Sequence, residues 1–207
     1  SGEKNASVRL TLWEGDVFVM IGARKSSENL YRKGVVLKTA SFPRGNPQGF
    51  PFQTKVSAYQ QAVLASTEPR ADKVYEWLFL DNRNYLTETR VGNFFLVRYP
   101  SLRSRKKAVL LTPPEYLILN GVTRKFVIKC ALEIGYEVQE THLTRHDFFN
   151  ADEAFLSNTS WEILPVRELD GRRIGVKVPG PVTSKLLHFF RRRIQKDVTS
   201  DHSSSSY

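Results

Sequence analysis

Glu76-Trp-Leu-Phe-Leu80, Asp81-Asn-Arg-Asn84, Tyr85-Leu-Thr-Glu88, Thr89-Arg-Val-Gly92 and Asn93-Phe-Phe-Leu-Val97 follow one another without a gap. The first and fifth segments are short and largely apolar, the third returns from the first, and turn formers separate them, which predicts three strands in succession. Asp81–Asn84 reads as the tight turn of a hairpin. Glu88 closes the second strand just before the break at 89–92. A carboxylate there can point into a site, although an ordinary surface glutamate carries the same signature.

Upstream, Phe52-Gln-Thr-Lys55-Val-Ser-Ala-Tyr59-Gln-Gln-Ala-Val-Leu-Ala65 follows a Pro/Gly-rich run, 42–51. Val56, Tyr59, Ala62 and Val63 recur at helical spacing, so a helix is predicted with Lys55 at its mouth. Apolar neighbours disfavour the ammonium form of a lysine, and a neutral lysine is a nucleophile that forms a Schiff base with an aldehyde. The alternative is a lysine whose stem lies on the core while its head reaches water.

Downstream, Leu117-Ile-Leu-Asn-Gly121-Val-Thr123-Arg-Lys-Phe126 opens a second predicted helix. Thr123 is its expected N-cap, Phe126, Val127, Cys130, Ala131 and Ile134 form one face, and Gly135 is the stop. Gly121 lets the backbone approach a ligand closely, and helix-start N–H groups suit an anion such as phosphate. Cys130 belongs to the buried face and reads as core.

The remaining segments are simpler. Val8–Trp13 and Val17–Ile21 form a hairpin about Glu14–Asp16, too small to fold alone. Residues 24–32 read as linker and Lys33–Lys38 as a strand. Val109–Leu111, Tyr136–Val138 and Glu153–Ser157 are further strands, the last ending in Asn158-Thr159-Ser160. Thr144 caps a short helix through Phe149. Asp170-Gly171 is a hairpin turn next to 163–169. Pro181 starts a final helix with Val182, Leu186, Phe189 and Phe190 inward, and from Lys196 the polar, serine-rich chain is expected to be disordered.

With 207 residues, 41% hydrophobic and 12% aromatic, the chain is long enough for a substantial core. Its formal charge of +10 raises a nucleic-acid reading. The basic residues come in short bursts without interleaved aromatics, so a solvated basic face is expected instead. One cysteine excludes an internal disulfide and a cysteine metal cluster, and the four histidines lack metal-ligand spacing. With no apolar run of spanning length and no leader pattern, a soluble cytoplasmic protein is expected, with neither membrane nor nucleic acid as partner.

An amine (Lys55), a strand-end carboxylate (Glu88) and two anion-friendly backbone sites (121–123 and 158–160) are what pyridoxal phosphate requires. Its aldehyde takes a lysine, its ring nitrogen an acid, and its phosphate N–H and hydroxyl donors. Leu86-Thr-Glu88, Asn93-Phe-Phe, Thr112-Pro-Pro, Asn120-Gly-Val-Thr-Arg124, Ala151-Asp-Glu153, Asn158-Thr-Ser-x-Glu162-Ile-x-Pro-Val166 and Gly180-Pro-Val-Thr183 occur in that order. Together they resemble the class IV pyridoxal-phosphate enzymes: branched-chain and D-amino acid aminotransferases and aminodeoxychorismate lyases.

The resemblance implies an α/β (α+β) fold of type IV, the large domain of a D-amino acid aminotransferase-like protein preceded by the last strands of a small domain. It divides the chain into 1–40 (small-domain end and linker), 41–194 (large cofactor domain) and 195–207 (tail). Lys55 would hold the cofactor and move the substrate's α-proton, and Glu88 would pair with the ring nitrogen. Val122, Thr123 and Thr159 would hold the phosphate, Asn93 would fix the turn after Glu88, and Tyr59 would partner the ring hydroxyl. The implied activity is amino-group transfer between an amino acid and a 2-oxo acid in a homodimer. Lyase action on aminodeoxychorismate and a catalytically silent basic module are the alternatives. Arg90 and Trp161 stand where small residues are usual in this family; Arg90 is a candidate for touching substrate or closing the pocket, and Trp161 either narrows the substrate space or packs in the core.

Overall fold

The computed structural model describes residues 6–23, 27–45, 60–68, 73–100 and 107–203. Strands β1 (Ala6–Trp13) and β2 (Asp16–Ala23) form the expected hairpin, turning at Glu14 and Gly15, both at positive φ. Its register stacks Val8, Leu10 and Leu12 opposite Ile21, Val19 and Val17, so one face is wholly aliphatic, and all six side chains are exposed.

Helix α1 (Glu28–Lys33) occupies the segment expected to be linker. The difference has a packing cause: Tyr31 is buried, Leu30 packs on the core, and the Tyr31 hydroxyl donates to the Trp161 carbonyl at 2.9 Å. Gly34, at φ +69, ends the helix, and strand β3 (Val35–Thr39) follows. Helix α2 (Gln60–Thr67) is the described part of the helix predicted from 52–65; Lys55 and Tyr59 lie outside the described residues.

The three-strand reading of 76–97 holds. The strands are β4 (Val74–Leu80), β5 (Leu86–Thr89) and β6 (Asn93–Arg98). Asp81 Oδ1 accepts the Arg83 and Tyr85 N–H groups at 2.8 and 2.9 Å, an aspartate-centred turn. Beyond them come β7 (Val109–Thr112), a 3₁₀ turn at Glu115–Leu117, α3 (Val122–Glu133), β8 (Glu137–Glu140) and α4 (Arg145–Phe149). Thr144 caps α4 through a full capping box with Asp147.

The chain then runs through β9 (Glu153–Asn158), β10 (Glu162–Leu169), β11 (Arg172–Arg173) and α5 (Pro181–Ser203). Residues 163–169 form one strand, and the expected hairpin turn at Asp170-Gly171 leads from it into β11. Helix α5 continues through Ser203, further than the polar composition from Lys196 predicts.

Among the described residues the main sheet runs β5-β4-β3-β10-β9-β6-β7-β8, with β11 against β10. It is mixed: β3 is parallel to β4 and β10, and β7 to β8, while the other pairs are antiparallel. Because β3 lies inside it, the sheet begins before residue 40. The two faces carry separate cores. Phe94, Leu96, Leu156, Leu164 and Val166 pack with Phe148 and Leu143 on one. Phe95, Val97, Phe155 and Ile163 pack with Val127, Cys130 and Ala131 of α3 and Val182, Leu186 and Phe190 of α5 on the other. Cys130 is therefore core, and burial pushes its thiol up to about 11, away from nucleophile chemistry.

Gly135, at φ +79, ends α3 as predicted. Its N–H donates to Leu132 and that of Tyr136 to Ala131, closing a Schellman motif. Glu153, also buried, accepts the Val182 and Thr183 N–H groups at 2.8 Å and so caps α5. A Cβ at Gly180 would overlap that carboxylate, which accounts for the glycine before Pro181.

Candidate active site

The register sets the frame of the site. Asn93 of β6 pairs with Ser157 of β9, and Ser157 with Ile163 of β10, so these residues share the sheet face covered by α3 and α5. They stand at the end of that face where β5, the 89–92 turn and the start of α3 converge. Glu88, one residue from the end of β5, is buried there.

Three chain groups hold Glu88. Oε2 accepts from Asn93 Nδ2 at 2.9 Å and from the Leu119 N–H at 3.0 Å, while Oε1 pairs with the Arg44 guanidinium. Burial drives the carboxyl up to about 7, against the lowering pull of Arg44, the Leu119 N–H and, further off, Arg124. Arg124 is itself buried; it donates to the Pro113 carbonyl and pairs with Glu140, both at 2.9 Å. Sequence reasoning missed Arg44. It lies in the Pro/Gly-rich run, where no periodicity marks a side chain as inward.

Asn93 is the hinge of this arrangement, consistent with a structural role. Its Nδ2 also donates to the Leu119 carbonyl at 2.9 Å, tying β6 to the loop before α3. Gly121 belongs to the same contact, because a Cβ there would stand 2.5 Å from Asn93 Oδ1. Asn93 cannot yield without releasing Glu88. Gly121→Ala is therefore expected to cost about 1–3 kcal/mol, read by urea unfolding.

Thr123 is not the N-cap of α3. Gly121 is, in an extended conformation (φ −63°, ψ 138°) without a side-chain cap bond. The close fit of Gly121 against Asn93 fixes the helix start two residues early. Val122 and Thr123 thus lie in the first turn, where N–H groups lack intrahelical acceptors and the helix dipole favours an anion. Val122 is exposed and Thr123 half-buried.

Thr159 is exposed in the turn between β9 and β10. Asn158 shapes that turn: its Oδ1 accepts the Ser160 and Trp161 N–H groups at 2.9 and 2.6 Å. Its Nδ2 donates to the Val91 carbonyl at 3.1 Å, joining this turn to the one after Glu88. Ser157 Oγ and Asn120 Oδ1 are buried without a hydrogen-bond partner among the described residues. Orphaned buried polar atoms are uncommon in a packed core and call for an explanation.

Arg90 and Trp161 are committed elsewhere. Arg90 Nε pairs with the buried Glu76 at 2.5 Å, its guanidinium lies 4.9 Å over the Trp77 ring, and Nη1 bonds Ser66 Oγ of α2. The Trp161 ring is half-buried, 5.5 Å from the ring of Tyr75 and packed on the core beside Gly92. Core packing explains its bulk.

Residues 1–169 match the amino-transferase class IV family. The chain belongs to that family. Among curated relatives, the branched-chain-amino-acid aminotransferase of Pseudomonas aeruginosa is 34% identical over 160 residues, covering 77% of this chain and 50% of its own. That of Escherichia coli K12 is 36% identical over 171 residues, covering 82% and 52%. The chain thus spans about half the length of these relatives.

Solved structures agree. A branched-chain amino acid aminotransferase from T.th., solved with pyridoxamine 5'-phosphate, superposes with a TM-score of 0.76 at 33% identity, covering 84% of this chain and 56% of that one. The enzyme of Thermoproteus uzoniensis with norvaline gives 0.73 at 32%, covering 85% and 56%. The type IV fold expected from the ordered motifs is therefore the fold of this class IV chain.

Proposed function

We propose that this chain is the cofactor-binding part of a pyridoxal-phosphate-dependent aminotransferase, moving an amino group between a branched-chain or D-amino acid and a 2-oxo acid. The observation that carries the reading is Glu88, a buried carboxylate fixed by Asn93 and the Leu119 N–H, with the Arg44 cation already at its other oxygen. A protonated pyridine nitrogen calls for such a partner. The donor set suits the rest of the group: the first-turn N–H groups of α3, the exposed Thr159, and the orphaned polar atoms of Ser157 and Asn120. The branched-chain names of the relatives support the substrate class.

When bound, pyridoxal phosphate supplies a conjugated electron sink for the charge left at the substrate's α-carbon. Glu88 would supply the negative charge that keeps the ring nitrogen protonated. Val122 and Thr123 N–H groups and Thr159 Oγ1 would hold the phosphate. Lys55 Nζ would anchor the cofactor and would take and return the α-proton, and Tyr59 would partner the ring hydroxyl. The aliphatic face of the β1–β2 hairpin supports reading it as the end of a smaller domain, and a cytoplasmic homodimer is the assembly we assign.

Leucine added to the natural polypeptide containing this chain, loaded with pyridoxal phosphate, is expected to yield its 2-oxo acid in one half-reaction with loss of the cofactor's visible absorbance. Inertness toward every amino acid would sink the proposal. Pyruvate release from aminodeoxychorismate would move the chain to the lyase branch instead.

A further inference from the structure

A concavity with a volume of about 780 Å³ lies between α1, Pro165 of β10 and the first turns of α5. Arg32, Lys33, His188 and Arg191 line it, with Glu28 as the acid among its described lining residues. Arg191 is already matched. Its Nε donates to Glu162 Oε2 at 2.7 Å, and its guanidinium lies 4.9 Å over the Tyr31 ring. Arg32 and Lys33 form no ion pair among the described residues, Glu28 included. The cavity therefore has an excess of positive charge, the chemistry of an anion site.

Two of its wall residues also hold the turn that carries Thr159. Tyr31 donates to the Trp161 carbonyl at 2.9 Å, and Arg191 grips Glu162, whose backbone sits at φ +57. A left-handed glutamate is a strained backbone that persists only where its surroundings hold it. An anion drawn to Arg191 competes with Glu162 for the guanidinium and so loosens that hold.

We propose that this cavity is a second binding site, for a compact oxyanion carrying two or more charges, and that its occupancy reaches the 158–162 turn through Arg191 and Tyr31. The binding half stands on the cavity alone; the coupling half rests on the proposed role of Thr159 at the cofactor phosphate. Coupling of this kind is reciprocal, so a cofactor phosphate at the turn changes the affinity for the anion equally.

The test is calorimetric titration of inorganic pyrophosphate into the natural polypeptide loaded with pyridoxal phosphate, which keeps the phosphate site filled, at about 0.15 M ionic strength. One equivalent is expected to bind, and the Arg32→Ala/Lys33→Ala double variant is expected to weaken binding by about tenfold or more while its cofactor absorbance is unchanged. No heat, or equal affinity in the double variant, overturns the site. Cofactor affinity that is identical with and without pyrophosphate overturns the coupling. The same heat in a chain that never loads cofactor supports the site and fails only the earlier functional reading.

Discussion

Lys55→Ala is expected to lower turnover by about 10²–10⁴-fold, the range lost when a positioned acid–base group is removed. The loss of covalent anchorage adds to this, so cofactor should come away on gel filtration of the variant. Thermal stability of the cofactor-free protein is expected to change by no more than about 0.5 kcal/mol, the size of effect of a substitution that opens no cavity and strands no buried polar group. That combination separates the two readings of Lys55: a snorkelling lysine would leave turnover and cofactor retention intact. Added methylamine should restore part of the turnover in the variant by replacing the missing amine, a rescue that a structural role would not show.

Glu88→Gln is expected to split stability from function. In the cofactor-free protein the carboxyl moves from an ordinary 4.5 to about 7 on folding, with burial as the main cause. The folded state therefore binds a proton that the unfolded chain has already released. Its contribution is fully present below about pH 4.5 and is lost as pH rises through about 7, a change on the order of 3 kcal/mol.

A glutamine does not ionise and keeps an oxygen for Asn93 and Leu119, while Arg44, only partly buried, can return to water. Urea unfolding of the cofactor-free variant should then lack this decline between about pH 4.5 and 7. Turnover should nevertheless drop by about 10²–10³-fold, as when a preorganised charge is removed from a site. A variant with the wild-type pH dependence of stability would contradict the burial argument for Glu88.

What the sequence made legible follows from what its patterns encode. The strands at 76–97, the α3 face with Cys130 and the Thr144 cap each carry a local signal: apolar spacing, a cap residue or a turn former. The structure places them as read. The α1 segment was missed because six residues carry little periodicity and Tyr31 is fixed by a core cluster and a Trp161 carbonyl contributed largely by residues far along the chain.

The α3 start was shifted for a similar reason. Thr123 has the better cap chemistry, but Gly121 fits under Asn93, a contact across 28 positions that no local rule anticipates. At the site, Glu88 was legible as a strand-end carboxylate. Arg44, Ser157 and Asn120 were not, because their part in it depends on strand register and loop closure.

The central claim is best tested by borohydride reduction after incubation of the natural polypeptide with pyridoxal phosphate, followed by peptide mass mapping. The account predicts a single phosphopyridoxyl group on Lys55, lost in Lys55→Ala. Labels scattered over surface lysines, unchanged by that substitution, would contradict it.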